Sequence, residues 1–324
     1  MTIRVGFLLL PGYALMSYAS AVEPLRAANL LSGETLFEWT HIAPEGDRVA
    51  SSSGAETPCP QTVDAADMHD LLLVVAGGRP ERFSHAPTFA YLRRAARAGV
   101  RIGGVSGGPV VLARAGLMAG RHMTVHWEHA EGLAETHPDL MLSRSLFVID
   151  RDRVTCAGGA APLDMMHALI AETHGAELAA KVSDWFLHTD IRPAGGPQRG
   201  GAAERWGVRH PKLIAALEAM EGAVAEPLSR GDVAARIGLS ERQLGRLFSD
   251  KIGKGFAVSY RELRLARARD LIRQTTLPLT EIAYACGFSS PSHFSSAYKA
   301  WAGVRPSRSK APPNPHTIAT AAKD

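Results

Sequence analysis

A short device occurs twice between residues 228 and 310, and it restricts the folds open to that stretch more than any other feature of the chain. The first copy reads Asp232-Val-Ala-Ala-Arg-Ile-Gly238-Leu-Ser240, then Glu241-Arg-Gln-Leu-Gly-Arg-Leu-Phe248. The second reads Thr280-Glu-Ile-Ala-Tyr-Ala-Cys-Gly287-Phe-Ser-Ser290, then Pro291-Ser-His-Phe-Ser-Ser-Ala-Tyr298. In each, a short apolar helix runs into a glycine able to take the left-handed conformation that ends a helix. An apolar residue follows, Leu239 or Phe288, and then a serine placed to cap the next helix. Ser240 and Gln243 have capping-box spacing, and Ser290 precedes Pro291 at the first helical position. Apolar residues then fall at the fourth, seventh and eighth positions: Leu244, Leu247 and Phe248, and Phe294, Ala297 and Tyr298. That spacing keeps one helix face on a core. The other face carries Arg242, Gln243 and Arg246 in one copy and Ser292, His293, Ser296 and Lys299 in the other. Helix, glycine turn and a second helix with a polar, basic outward face make a helix-turn-helix, and two in tandem are far more specific than one.

Between the copies, residues 258–274 alternate Leu263, Ala266, Leu271 and Ile272 with Arg261, Arg264, Arg267, Arg269 and Arg273, which predicts a basic amphipathic connecting helix. The tandem units, the run Cys286-Gly-Phe-Ser-Ser-Pro-Ser-His-Phe-Ser and the closing Gly303-Val-Arg-Pro306 together resemble the AraC/XylS family of transcription regulators, over residues 211–310. The resemblance implies double-stranded DNA as partner, with the second helix of each unit entering successive major-groove turns about 34 Å apart. Arg242, Gln243, Arg246, Ser290, Ser292, His293, Ser296 and Lys299 are the expected DNA-binding residues. Arg242 and Arg246 lead for base reading in the first unit, and Ser292, His293 and Ser296 in the second. Leu247, Phe248, Phe294 and Tyr298 are expected in the core.

The net charge of +4 conceals a split. Residues 209–310 hold 17 Lys and Arg against 9 Asp and Glu, so this stretch is +8 and the remainder −4. A basic domain joined to an acidic one fits a nucleic-acid binder with a separate sensing or assembly part. With 324 residues, 46% of them hydrophobic, two cores are within reach. No apolar run approaches the ~20 residues of a membrane span, and no secretory leader is expected. Cys59, Cys156 and Cys286 lie far apart without metal-like spacing, which suggests buried thiols in a reducing cytoplasm.

Before residue 191, apolar runs at 2–10, 70–78 and 100–105 read as buried parallel strands, with shorter strands at 146–149 and 153–156. Helical spacing occupies 17–31, 89–98, 110–115, 162–174 and 177–188. The alternation predicts a doubly wound α/β domain, flavodoxin-like, in which ligands sit at the carboxyl ends of the strands. Those ends carry Pro11-Gly12-Tyr13, Gly77-Gly78-Arg79, Ser106-Gly107-Gly108 and Gly158-Gly159-Ala160.

Gly104-Val-Ser106-Gly-Gly108 fits the nucleophile-elbow pattern G-x-S-x-G. It admits a hydrolase in which Ser106 attacks, His126 or His129 serves as base and backbone N–H groups form an oxyanion hole. The residues around it, with 17–29 including Glu23-Pro-Leu-Arg26, Thr124-Val-His-Trp-Glu-His129, Leu146-Phe-Val-Ile-Asp150 and Thr155-Cys-Ala-Gly-Gly-Ala160, resemble the ThiJ/PfpI-type, class I glutamine-amidotransferase-like domain. The narrower resemblance, over residues 3–190, is to the version fused to AraC-type regulators, the GlxA-like group. Enzymes of that superfamily carry Cys at the elbow, often followed by His, with a nearby acid matched here by Glu23. This chain has Ser106 followed by Gly107, and a serine hydroxyl is far less acidic than a thiol of pKa about 8.5. The expectation is therefore a non-catalytic pocket that uses Glu23, Gly78, Ser106, Gly107, His126 and Trp127. The resemblance implies a small nitrogenous effector such as a betaine, a carnitine-like compound or an amino acid. Trp127 offers an aromatic face to a cationic headgroup, and Ser106 with backbone N–H groups a cradle for a carboxylate. Each residue also has a plainer role open to it: Trp127 in a core, His126 and His129 structural, Glu128 solvated.

His122, His126, His129, His137 and Glu131 cluster in sequence but lack the order of a metal motif, so neither metal nor cofactor is expected. The domains are expected at 1–191 and 210–310, joined by a Gly/Pro-rich linker at 192–209 and followed by a disordered tail at 311–324. Family resemblance adds homodimerisation through the α/β domain, contact with RNA polymerase and activation rather than repression. Two other readings stay open: a hydrolase or amidotransferase-like enzyme with an accessory DNA-binding domain, and a ligand-independent dimeric DNA binder.

Overall fold

The computed structural model describes residues 2–310, in two compact units that divide between Arg199 and Gly200. The expected tail, 311–324, lies outside the described residues.

In the first unit, β1 (Ile3–Leu9), α1 (Leu15–Ser32) and β2 (Phe37–Ala43) precede the short strands β3 (Arg48–Ala50), β4 (Glu56–Pro58) and β5 (Gln61–Thr62). Then come β6 (Leu71–Ala76), α2 (Ala86–Arg97), β7 (Arg101–Ser106) and α3 (Gly108–Arg114). β8 (His122–Thr124), α4 (Trp127–Thr136), β9 (Met141–Ser143), β10 (Phe147–Asp150), β11 (Arg153–Cys156), α5 (Ala161–His174) and α6 (Ala176–Trp185) follow. One sheet takes seven strands in the order β10-β11-β7-β6-β1-β2-β5. Its neighbours run parallel except β10 on β11. The long parallel strands therefore follow the flavodoxin-like doubly wound order, with its switch point between β1 and β6.

Side-chain alternation feeds two cores. Val5, Phe7 and Leu9 of β1 and Leu71, Leu73 and Val75 of β6 pack with Leu25 of α1, Met165 of α5 and Val182 of α6. Leu8 of β1 and Leu72, Val74 and Ala76 of β6 pack with Leu92 of α2, Val111 of α3 and Leu133 of α4. Burial on both faces explains why these strands read as unbroken apolar runs.

The second unit is helical: α7 (Ala202–Trp206), α8 (Pro211–Glu221), α9 (Arg230–Arg236), α10 (Glu241–Ile252), α11 (Phe256–Gln274), α12 (Leu279–Ala285), α13 (Pro291–Ala302) and α14 (Pro306–Ser309). α11 is the connecting helix, and its Leu263, Leu265, Ala268, Leu271 and Ile272 share one core with Leu244 and Phe248 of α10 and Phe294 and Tyr298 of α13. The core face takes Leu265 fully, where spacing predicted Ala266, which is half-buried.

Residues 192–209, expected to form a linker outside any core, carry structure instead. Leu146 donates its N–H to Ala194 O at 2.8 Å, and Val208 is buried in the helical core. The glycine and proline content predicts no core here, yet Val208 joins the helical core and Trp206 packs against it. Among the described residues, no helix is long and apolar enough to cross a membrane.

Candidate nucleic-acid interface and strand-end site

The two helix-turn-helix units follow one plan, with a serine capping each second helix, but differ in how that cap is completed. Ser240 and Gln243 complete a reciprocal capping box at the start of α10, and Ser290 Oγ accepts the His293 N–H at 3.2 Å at the start of α13. The turn glycines, Gly238 and Gly287, have φ of 64° and 70°. Each turn's carbonyl is held by a cation from an earlier helix: Lys212 Nζ donates to Gly238 O at 2.9 Å, and Arg264 Nη2 to Gly287 O at 2.5 Å. Arg264 also donates through Nε to Cys286 O at 2.8 Å, with its guanidinium 4.3 Å from the Phe288 ring centroid. Sequence spacing placed Arg264 on a basic stripe, whereas its charge is spent inside the unit.

On α10 and α13, Leu244, Phe248, Phe294 and Tyr298 are buried and Leu247 is half-buried, while Arg242, Gln243, Arg246, Ser292, His293, Ser296 and Lys299 are exposed. Gln243 Oε1 accepts from Ser240 N at 2.8 Å, so the cap occupies that atom and leaves only the amide N–H2 to reach outward. Ser290 is half-buried and likewise committed to its cap. The His293 ring lies edge-on to Phe288 with centroids 5.8 Å apart. Among the described residues, Arg242 and Arg246 form no ion pair, which leaves two guanidinium forks on one outward face.

In the first unit, strand ends meet at the elbow. Ser106 closes β7 with φ of 59°, a left-handed conformation that costs a non-glycine residue about 1–2 kcal/mol. A Cβ on Gly158 would stand 2.7 Å from Ser106 Cβ and 2.9 Å from Ser17 Oγ, so only glycine fits where the β11 turn crosses the elbow. Ser17 Oγ in turn accepts the Gly159 N–H at 2.8 Å. The α1 side chain at the elbow is thus Ser17, a residue the sequence pattern gave no reason to select. Glu23, expected there, pairs instead with Arg26 at 2.7 Å and is nearly half exposed. Gly107 needs correction too, because its N–H donates to Ala76 O at 3.0 Å and is not open to a carboxylate or an oxyanion. Gly78 is exposed at the end of β6.

Among the described residues, none hydrogen-bonds the Ser106 hydroxyl, and the nearby histidines are turned to other tasks. His126 Nδ1 caps α4 by accepting the Glu128 N–H at 3.3 Å, and its own N–H approaches Ser106 O at 3.4 Å. Burial, and next the charge of Arg199, lower its pKa. His129 is pushed down to about 4 by burial and then by His126, so it is neutral at physiological pH. Burial lifts the Cys156 thiol to about 12. Trp127 is 37% exposed, and its face is covered by the Arg199 guanidinium, 4.2 Å from the ring centroid. Of the other histidine-cluster members, Glu131 pairs with Arg144 and His137 Nδ1 with Thr136 Oγ1. Among the described residues, no three His, Cys, Asp or Glu side chains gather as a metal would require.

A tandem helix-turn-helix unit joined to a doubly wound unit with a serine elbow defines a DNA-binding regulator with an amidotransferase-like domain. Comparison with known proteins agrees for both units. Residues 4–172 match the DJ-1/PfpI family, and residues 233–311 match a helix-turn-helix domain family. The chain belongs to the AraC-type family of HTH transcriptional regulators that carry a DJ-1/PfpI domain. It is 50% identical to the HTH-type transcriptional regulator GlxA of Rhizobium meliloti, over 91% of this chain and 92% of that one. It is 41% identical to the HTH-type transcriptional regulator CdhR of Pseudomonas aeruginosa, over 94% and 90%. Among solved structures, an AraC family transcriptional regulator from Pseudomonas putida shares 30% identity with a TM-score of 0.52, over 57% of this chain and 99% of that one.

Proposed function

We propose that this transcription regulator is controlled by a small nitrogenous metabolite bound without turnover at the strand-end site, and that α10 and α13 read its operator. The single observation that carries the sensing reading is the elbow itself. It keeps the strained backbone of a nucleophile, yet it holds a serine with no aligned base and a following N–H already spent on Ala76 O. A hydroxyl needs both to attack a carbonyl. The hydroxyls of Ser106 and Ser17 suit a carboxylate, and Trp127, the residue after the His126 whose backbone N–H meets Ser106 O, suits a cationic headgroup. Betaines, carnitine-like compounds and amino acids carry both ends.

On DNA, Arg242 and Arg246 take guanine edges, Ser292, His293 and Ser296 read the second site, and Lys299 meets phosphate. The chain acts in the cytoplasm as a homodimer through its α/β unit and activates transcription with RNA polymerase; these four points rest on family likeness.

Thermal shift of the full chain against glycine betaine, carnitine and the common amino acids tests the sensor reading. A ligand at 100 times its Kd stabilises by about 2.7 kcal/mol. A shift without ligand consumption is expected, and Ser106→Ala, which removes one of the two hydroxyls, should reduce it without abolishing it. Turnover that Ser106→Ala abolishes would overturn the non-catalytic reading in favour of a hydrolase.

A further inference from the structure

Residues 192–201 read Arg-Pro-Ala-Gly-Gly-Pro-Gln-Arg-Gly-Gly, and the first eight are seated on the first unit as a strap. At its start, the fully buried Asp164 carboxylate accepts from Arg192 N at 2.9 Å, Arg192 Nη2 at 2.6 Å and His188 Nε2 at 2.8 Å. Further on, Gln198 Nε2 lies 3.0 Å from Thr124 Oγ1, 3.1 Å from Val125 O and 2.7 Å from Ser145 O. The next residue is Arg199, over Trp127. Only Gly200 and Gly201 separate it from α7.

The seat is graded along its length. The Arg192 end is a buried, charge-assisted anchor with several bonds to one carboxylate. The Gln198 amide donates well, but its Oε1 is buried without a partner, which offsets part of the gain. Among the described residues, Arg199 makes no ion pair, and its aromatic seat is partly exposed, where a cation–π contact is weakest.

We propose that Arg199 is a built-in occupant of the Trp127 face, that the cationic headgroup of the effector displaces it, and that its release frees the strap and lengthens the tether between the units. This rests on the reading of Trp127 as the headgroup site. One aromatic face takes one cation at this distance, so a quaternary ammonium and the guanidinium compete for it. With Arg199 seated, Gly200 and Gly201 span at most about 7 Å, whereas residues 195–201, free back to the Ala194 carbonyl held by Leu146, span at most about 25 Å. The added reach of about 18 Å is roughly half the ~34 Å between successive major-groove sites on one face of a duplex. Effector occupancy thereby sets how far a DNA-binding unit can travel along its operator.

Trypsin does not cut Arg–Pro bonds, so Arg199–Gly200 is the one tryptic site within residues 192–201. The full chain is digested with glycine betaine, with tetramethylammonium chloride, and with sodium chloride at equal ionic strength, and cleavage after Arg199 is compared with cleavage at other arginines by mass spectrometry. Thermal shift on the same samples reports probe binding independently. We expect either probe to raise cleavage after Arg199 about fivefold or more, and Trp127→Ala to raise it without a probe. Arg199→Gln removes the competitor and should tighten probe binding about two- to thirtyfold. Probe binding with neither enhanced cleavage nor tighter binding in Arg199→Gln overturns the strap and leaves the headgroup site standing. Absence of a thermal shift with both probes, in the wild type and in Arg199→Gln, overturns the headgroup site and the strap with it.

Discussion

Arg242 and Arg246 are exposed on the same helix face and carry no carboxylate partner among the described residues, so their donors are available to base edges. Replacing Arg246 by Ala should cost about 1–3 kcal/mol against the operator and relax the preference at one base pair. Lys299→Ala should instead weaken every duplex alike and reduce the salt slope by about one. Anisotropy titrations of operator and scrambled duplexes at several salt concentrations separate the two outcomes. At the other site, His129 is buried and neutral, held at about 4 against the ordinary histidine value of about 6.5. An unfolded chain protonates this ring below about 6.5 while the folded one does not until about 4. The stability it contributes is therefore complete above pH 6.5 and lost as pH falls toward 4, at about 1.4 kcal/mol per pH unit. Urea unfolding of the first unit should show the wild type losing about 2 kcal/mol more than His129→Leu between pH 7 and pH 5. Parallel losses would refute the buried, neutral assignment.

The helix-turn-helix elements were legible because each carries its own punctuation: a turn glycine, a capping serine and a fixed apolar spacing. The two turns nonetheless differ in how tightly they are packed. A Cβ at Gly287 would stand 2.5 Å from Val224 O, while the nearest atom to one at Gly238 is Lys212 Nζ at 3.8 Å. Gly238→Ala should therefore cost the conformational strain of about 1–2 kcal/mol. Gly287→Ala adds a backbone clash of a further 1–3 kcal/mol or so. Thermal unfolding of the two variants ranks them, and equal losses would contradict the packing described. In the first unit, β1, β6 and β7 were legible as unbroken apolar runs, but β2 was not. Its Phe37-Glu-Trp-Thr-His-Ile-Ala is mostly half-buried or exposed at its centre, and its start is held by Asn29, whose Oδ1 accepts from Leu36 N and Phe37 N at 2.9 Å each. Neither cue has a local pattern. Ser17 and the strap escaped for the same reason. Ser17 acts through its fit beneath Gly158, and the strap is seated by the Asp164 carboxylate on Arg192, the backbone of Ala194 and the side chain of one glutamine, contacts set by tertiary geometry.

At the scale of the molecule, the charge split separates a basic helical unit from an acidic α/β unit. The basic unit presents the outward faces of two similarly capped helices, and the other unit a serine elbow, whose carbonyl the His126 N–H meets, and the next residue, Trp127, covered by a cation. Under the proposed function, a metabolite bound to the α/β unit changes how the helical unit meets DNA. Coupling between sites of this kind is typically worth 1–3 kcal/mol, a five- to 150-fold change in affinity. The decisive measurement is operator affinity of the full chain by fluorescence anisotropy, with and without glycine betaine, carnitine and amino acids at saturating concentration, in the wild type and in Trp127→Ala. At least one of these ligands should change the wild-type affinity about fivefold or more, and Trp127→Ala should abolish that change while still binding the operator. Operator affinity indifferent to every ligand, or a response that survives in Trp127→Ala, would contradict it.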